Sequence, residues 1–297
     1  MASAGAQSAN KGTQEFAFLP NEIWIHAGDN IAWTNDTDVT HTVSFLMPNQ
    51  VRPSSSTGCP GTTPNPSGFD GTQCVNSGPM TNGQSYTVVF PTPGNYKLVD
   101  LGHASQNGVV HVLDTSLPLP HDQAYYDRFA ARTRRDLFLQ GQVDSVVGYL
   151  DSLRTGGHEV TAGVGGITAT AGGQQNVSVM RFMQPRVDIR AGDTVEWSNV
   201  DPSTPHTITF GIEPLNLKTP SGNVSTDADG GLHATISSTD DNVNSGYIVA
   251  SANDRTGVEQ SALGVTHFRV TFTQPGIYPY ICALHDELGM TGMVVVH

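Results

Sequence analysis

Short stretches of alternating apolar and polar residues, separated by turn residues, run through residues 16–113. Residues 22–26 alternate in this way, and residues 31–34 alternate again after the turn Ala-Gly-Asp-Asn. Similar stretches follow at 40–45, 85–90, 96–101 and 108–113. Residues 46–80 show little periodicity and predict a long loop. Many short strands joined by turns are typical of an all-β sandwich.

After residue 114 the spacing of apolar residues changes from the alternation of strands to the period of a helix. Residues 121–139 carry apolar side chains at helical spacing, among them Tyr126, Phe129 and Leu137. A second short helix is predicted by the apolar positions 143, 146, 147 and 150. Residues 156–175 are rich in Gly, Thr and Ala, which predicts a linker or an edge strand.

The second half of the chain repeats the first. Residues 190–197, Arg-Ala-Gly-Asp-Thr-Val-Glu-Trp, match residues 26–33, His-Ala-Gly-Asp-Asn-Ile-Ala-Trp. Three further blocks match in the same order, so a domain duplication is expected. The predicted organisation is a domain at 12–114, a helical connector at 115–160 and a domain at 161–297. Each copy contains a long insertion, at 46–80 and at 211–263.

Charge and composition exclude several classes of function. The net charge of −13 argues against nucleic-acid binding, which needs a basic surface. No apolar run reaches the length of a membrane span. The first ten residues are interpreted as a polar leader, either left after signal removal or added to the chain.

The most informative stretch is Cys-Ala-Leu-His-Asp-Glu-Leu-Gly-Met at 282–290. It places a thiol, an imidazole and a thioether within one short loop after a predicted strand. His206, in a β pattern upstream, is positioned to supply a second imidazole. Thiolate, imidazoles and a weak axial thioether are the ligands of a blue-copper electron-transfer site. We therefore expect Cys282, His285, Met290 and His206 to bind copper.

Residues 275–297 resemble the ligand loop of cupredoxins, and the spacing of Cys282, His285 and Met290 is similar to that of pseudoazurin. Residues 190–197 followed by His206 resemble the strands that lead to the first histidine ligand of that family. The resemblance implies two tandem cupredoxin-like Greek-key β-sandwiches joined by the short helical connector. It also implies a type 1 copper site in the second domain, exchanging electrons with a redox protein that docks near His285.

The first domain keeps only part of this motif. Alignment of the two copies places Asp100 at the position of Cys282, with His103 matching His285 and His41 matching His206. The shorter loop places Gln106 where the family has its methionine. One interpretation is a harder metal, such as colourless Cu(II) or Zn(II), bound by His41, Asp100 and His103. The other, which we favour, is a vestigial site in which these groups hydrogen-bond one another.

The two remaining cysteines bear on the cellular location of the protein. Cys59 and Cys74 enclose a loop rich in Pro, Gly, Ser and Thr, and a disulfide there would contribute on the order of 3 kcal/mol. A disulfide together with a copper thiolate favours an extracytoplasmic location.

Three functions remain in view. The first is a carrier of single electrons. The second is a copper-dependent oxidoreductase that uses a second, non-blue metal at His41, Asp100 and His103. Against it, Cys282 is flanked by Ile281 and Ala283, so the adjacent Cys-His link of nitrite reductases is missing, and the sequence contains no His-x-His pair. The third, a copper store, would need clusters of Met or Cys that the sequence lacks. The oligomeric state is left open.

Overall fold

The computed structural model describes residues 2–53, 59, 67–154, 157–251 and 264–297. The chain divides into two compact units. Unit 1 comprises Met1–Ser8, Gln14–Leu139 and Ile167–Val177, and unit 2 comprises Ala9–Thr13, Gln140–Gly166 and Ser178–His297. Among the described residues no helix is long and apolar enough to cross a membrane.

Unit 1 is built from two sheets. Its strands are β1 Ala2–Gln7, β2 Thr13–Leu19, β3 Glu22–His26, β4 Asn30–Thr34, β5 Ser44–Phe45, β6 Ser67–Gly68, β7 Val75–Asn76, β8 Ser85–Val89, β9 Gly94–Val99 and β10 Asn107–Leu113. One sheet has the order β6-β8-β4-β1-β2 and the other β3-β10-β9-β5-β7. The predicted alternation is confirmed, because β4, β8 and β10 bury every second residue. Trp33 and Val88 of one sheet share a core with Phe45 and Leu98 of the other.

Unit 2 has the same arrangement. Its strands are the first part of β11 Glu159–Thr170, the last part of β12 Gly173–Phe182, and β13 Arg186–Ile189, β14 Thr194–Ser198, β15 Thr209–Phe210, β16 Ser225–Thr226, β17 Leu232–Ile236, β18 Val243–Asn244, β19 His267–Phe272, β20 Gly276–Ile281 and β21 Thr291–Val296. One sheet contains the order β16-β17-β19-β14-β11 and the other β13-β21-β20-β15-β18. The core is aromatic, since the Trp197 ring contacts the rings of Phe210 and Tyr280. The second sheets of the two units thus have matching strand order.

Three chain segments differ from the sequence-based expectation. The connector holds one continuous helix, α1, Gln123–Arg154, so the prediction of two helices was wrong. Its Gly141 does not end it, because a single glycine costs a helix only about 1 kcal/mol. The supposed leader forms strand β1, and the Gly-rich segment forms β11, an inner strand between β14 and β12.

The loop of unit 1 is closed covalently. Cys59 and Cys74 form the predicted disulfide, with their Cα atoms 5.7 Å apart. Both cysteines are buried with Leu46, Val99 and Leu101 in a small apolar cluster. The insertion of unit 2 is less irregular than expected, because it contains β17, which pairs in parallel with β19. Its residues 252–263 lie outside the described part of the chain.

Candidate metal centre

Three side chains of unit 2 converge on one point. The Sγ atom of Cys282 lies 3.4 Å from Nδ1 of His285 and 3.7 Å from Nδ1 of His206. The two Nδ1 atoms are 3.2 Å apart. These three donor atoms form one of two groups in the described residues that could hold a metal ion. The structure therefore brings together three of the four residues selected from the sequence around a common point.

The backbone around His206 restricts the position of its imidazole ring. His206 and Ile248 form an isolated antiparallel bridge with N–H···O distances of 3.0 and 2.9 Å. The side-chain amide of Asn199 donates to the carbonyl groups of Thr204 and Ile248, which closes the loop before the histidine. Gly163, at φ +80°, passes so close that a Cβ there would overlap the His206 ring.

The other candidate ligands belong to one closed loop. Cys282 directly follows β20, and His285 precedes a single 3-10 turn, Asp286–Leu288. The His285 N–H donates to the Cys282 carbonyl at 2.8 Å. Met290 donates to the His285 carbonyl and accepts from the Cys282 N–H, at 3.1 and 3.0 Å. Met290 is fully buried, so the fourth predicted ligand lies inside the loop that carries two of the others.

The environment favours uncharged donors before a metal binds. Burial lowers the pKa of His206 well below its usual value, and the neighbouring His285 lowers it further. Burial raises the pKa of the Cys282 thiol, and the Thr207 N–H, 3.3 Å from Sγ, partly offsets this rise. A neutral imidazole offers a lone pair on one nitrogen, which is the form that binds metals.

This donor set suits copper. Two imidazole nitrogens and a sulfur face one another closely enough for one ion to contact all three, and the set combines soft and borderline ligands. The far nitrogen of His206, Nε2, lies 4.0 Å from a carboxylate oxygen of buried Asp201. Neither of these two atoms has a hydrogen-bond partner among the described residues. Histidine ligands usually donate their second N–H to such a group, but at 4.0 Å His206 and Asp201 do not form this hydrogen bond.

Unit 1 contains the second group, at the predicted residues. Nδ1 of His41 lies 2.8 Å, and Nδ1 of His103 lies 2.9 Å, from the same oxygen of Asp100. Asp100 is fully buried, which by itself would raise its pKa. The charge and hydrogen bond of His103, with the bond from His41, outweigh burial and hold the pKa of Asp100 well below its usual range. The Asp100 carboxylate thus lies between the two imidazole rings and accepts a hydrogen bond from each.

Each centre is supported by an equivalent set of hydrogen bonds. The Thr42 N–H approaches the Asp100 carboxylate at 3.2 Å, as the Thr207 N–H approaches the sulfur. The Asp100 N–H donates to the Gln106 carbonyl at 3.0 Å, and the Gln106 N–H donates to the His103 carbonyl at 3.0 Å. Those are the bonds that Met290 makes with Cys282 and His285. Gln106 therefore occupies the position of the methionine, as the alignment indicates.

Several supporting residues were missed by sequence reasoning. Thr42 and Thr207 directly follow the two matched histidines, so the repeat itself carried this signal. Asn35 holds the loop before His41 through the carbonyl groups of Val39 and Met80, as Asn199 does in unit 2. Gly5, at φ +96°, lies against His41 as Gly163 lies against His206. The two glycines were not recognisable, because they stand in segments interpreted as a leader and a linker.

Comparison with known proteins agrees with this geometry. The family model described as copper binding proteins, plastocyanin/azurin family, matches residues 5–113 and 168–297. The chain belongs to the plastocyanin/azurin family. It is thus a two-domain cupredoxin, a copper-binding protein of an electron-transfer family.

Solved cupredoxin structures resemble parts of this chain. A purple cupredoxin from Nitrosopumilus maritimus is 23% identical over 38% of this chain and 97% of its own, with a TM-score of 0.25. Plastocyanin from Dryopteris crassirhizoma is 18% identical over 47% and 99%, with a TM-score of 0.25. An oxidised amicyanin variant is 21% identical over 33% and 73%, with a TM-score of 0.24. No curated protein matches the chain.

Proposed function

We propose that this cupredoxin carries single electrons through one mononuclear type 1 copper held in unit 2. The observation that supports the proposal is the convergence of Nδ1 of His206, Nδ1 of His285 and Sγ of Cys282. Met290, buried in the same closed loop, is the proposed weak axial ligand.

Copper held by such donors exchanges one electron between Cu(I) and Cu(II). The contribution of the chain is rigidity. His206 is fixed by the bridge to Ile248, and Cys282 is held by Thr207 and by the loop bonds of Met290. Donors that cannot move present one geometry to both oxidation states, which keeps the barrier to electron exchange low.

The exposure of the candidate ligands supports a proposed docking position for the redox partner. Cys282, His206 and Met290 are buried, whereas the His285 side chain is partly exposed. A redox protein docking near His285 would therefore approach closest to the centre. Asp286 and Glu287 follow this histidine directly, so a partner with a basic rim is favoured and its association should weaken with added salt.

We infer that unit 1 serves as a scaffold without a metal. The two Nδ1 atoms that a metal would need are both engaged with one oxygen of Asp100. A centre whose polar groups pair with one another is a stable alternative to a metal site. We also propose an extracytoplasmic location, which the buried disulfide supports.

The test is electron paramagnetic resonance of the copper-loaded protein with spins counted per chain. One narrow-hyperfine signal of one spin is expected. Cys282→Ala should abolish the intense visible absorption, and the matched change Asp100→Ala in unit 1 should leave it unaltered. Colour that persists in Cys282→Ala would refute the type 1 assignment. A second, wide-hyperfine signal removed by His41→Ala would instead show a metal in unit 1.

A further inference from the structure

The second half of helix α1 packs with its small residues inward and its large apolar residues outward. Gly148 and Ser152 are buried, and a Cβ on Gly148 would meet Val164 and Met183 at 2.8 and 3.0 Å. The opposite face carries four large apolar residues that are half exposed: Val143 at 57%, Val146 at 59%, Leu150 at 51% and Leu153 at 50%. A helix of a globular domain normally does the reverse. We call these four residues the apolar stripe.

The spacing of the apolar stripe indicates a helical partner. Its members follow one another at intervals of 3, 4 and 3 residues, which is the a and d pattern of a coiled-coil seam. Val147 and Tyr149 beside it are exposed to a similar degree, at 51% and 46%. Together the six side chains offer apolar surface of several hundred Å², comparable with the roughly 800 Å² that each partner buries in a stable interface.

Charge and symmetry identify the partner. The chain carries a net charge of −13, but the positions on either side of the stripe, Gln142, Val147 and Tyr149, are uncharged. The two acidic residues of this stretch, Asp144 and Asp151, lie toward Gly148 and Ser152, with which they line one cavity. Two copies can therefore approach here without opposing like charges. The intervals 3, 4, 3 also read the same from either end, so in an antiparallel pair Val143 meets Leu153 and Val146 meets Leu150. Each of the four layers then contains one Val and one Leu, as a two-fold symmetric interface requires.

We propose that the apolar stripe is a dimerisation surface at which helix α1 pairs antiparallel with the same helix of a second copy of this chain. This goes beyond electron carriage and does not depend on it. The interface would give a carrier with two copper-binding units per particle.

The test is the mass of the full-length, copper-loaded protein by analytical ultracentrifugation over a range of concentrations. The expected mass is twice the 31.5 kDa of one chain. Val146→Gln/Leu150→Gln removes apolar surface without adding charge and should weaken the dimer about 100-fold or more. Arg128→Gln, on the same helix but outside the stripe, is the control and should leave the mass unchanged. Circular dichroism and the melting temperature show that both variants remain folded, which is expected because the altered side chains are exposed.

Orientation is tested by cross-linking. A mixture of Val146→Cys chains and Leu150→Cys chains should form a disulfide-linked dimer, whereas Val146→Cys chains alone should not. Equally fast cross-linking of Val146→Cys alone would overturn the antiparallel arrangement. A monomer at all concentrations, or a dimer that the glutamine variant leaves intact, would overturn the proposal. So would a monomer that sediments with anionic phospholipid vesicles and loses this binding in the glutamine variant, because the stripe would then be a membrane-binding face.

Discussion

At the scale of single residues, two replacements separate the centres: Asp100 stands in place of Cys282, and Gln106 in place of Met290. Asp100 and Cys282 occupy equivalent positions, each approached by the N–H of a threonine and faced by two histidine rings. Under the proposed function, the difference between the units depends mainly on whether a carboxylate or a thiol stands at this point.

The first prediction is that Asp100→Cys creates a second blue site. It is best examined in a Cys282→Ala background, where the original colour is lost. Copper should restore intense visible absorption, because His41, His103 and the new thiol supply the three strong ligands and a Gln can replace Met as axial ligand. Asp100→Ser in the same background is the control and should stay colourless. A copper-loaded double variant without colour would show that the unit 1 frame does not fit the ion.

The second prediction concerns Glu15 in strand β2. Its side chain is 2% exposed, and burial raises its pKa to about 8, although Arg134 opposes the rise. The Glu15 carboxyl has a pKa of about 4.5 in the unfolded chain and about 8 in the folded chain. The folded state therefore holds this proton more tightly, and the free energy of unfolding should decrease as pH rises from about 4.5 to 8. Above pH 8 this contribution stays constant.

Glu15→Gln should remove that pH dependence and stabilise the protein at pH 8 by a few kcal/mol, since each unit of pKa shift is about 1.4 kcal/mol. The measurement is urea unfolding at several pH values. Equal pH profiles for the variant and the natural protein would contradict the assignment.

At the scale of elements, the alternating strands were predictable and the segments that cross the centres were not. Residues 22–26 and 108–113 alternate because one face of each strand is buried, and this period is visible in the sequence. Strands β1 and β11 contain Gly, Ala and polar residues without strict alternation, so they were interpreted as a leader and a linker. Helical structure was predicted from the apolar spacing in both parts of α1, but which face of the second part is buried depends on Gly148, which no periodicity reveals.

The third prediction tests strand β11 as part of the centre. Gly163→Ala and Gly192→Ala both place a Cβ at positive φ, +80° and +97°. Each should lose about 1–2 kcal/mol of stability. Only Gly163→Ala should also displace the His206 ring, because a Cβ at Gly192 meets no atom within 4 Å among the described residues. We expect Gly163→Ala to weaken copper binding at least tenfold and Gly192→Ala to leave it unchanged, as measured by competition with a chelator. Equal copper affinity in both would contradict the role of β11.

At the scale of the molecule, the sequence predicted the repeated blocks and both groups of candidate ligands, but not the contacts that support each group. Spacing alone selected Cys282, His285 and Met290 as candidate ligands, because the loop that carries them is continuous in sequence. The supporting contacts of Asn199 and Thr207 connect residues far apart in the chain, and only the fold reveals them.

The fourth prediction is that the disulfide stabilises unit 1 in particular. Cys59→Ser/Cys74→Ser should lower the free energy of opening in unit 1 by on the order of 3 kcal/mol, since a closed loop of about 15 residues restricts the unfolded chain. Hydrogen exchange of β8, β9 and β10 measures this loss. The amides of β19, β20 and β21 in unit 2 serve as an internal reference. An equal loss of protection in both sets would contradict the prediction.

The carboxylate of Asp100 has a consequence for the maturation of the chain. Its bonds to the His41 and His103 rings complete the polar centre of unit 1 from protein atoms alone. In unit 2 the Cys282 thiol takes the place of the carboxylate, and its Sγ atom lies farther from the two Nδ1 atoms, at 3.4 Å from His285 and 3.7 Å from His206. Under the proposed function, the centre of unit 1 is complete as soon as the chain folds, whereas the centre of unit 2 becomes functional only after it binds copper. The amount of working carrier would then depend on metal supply as well as on protein synthesis.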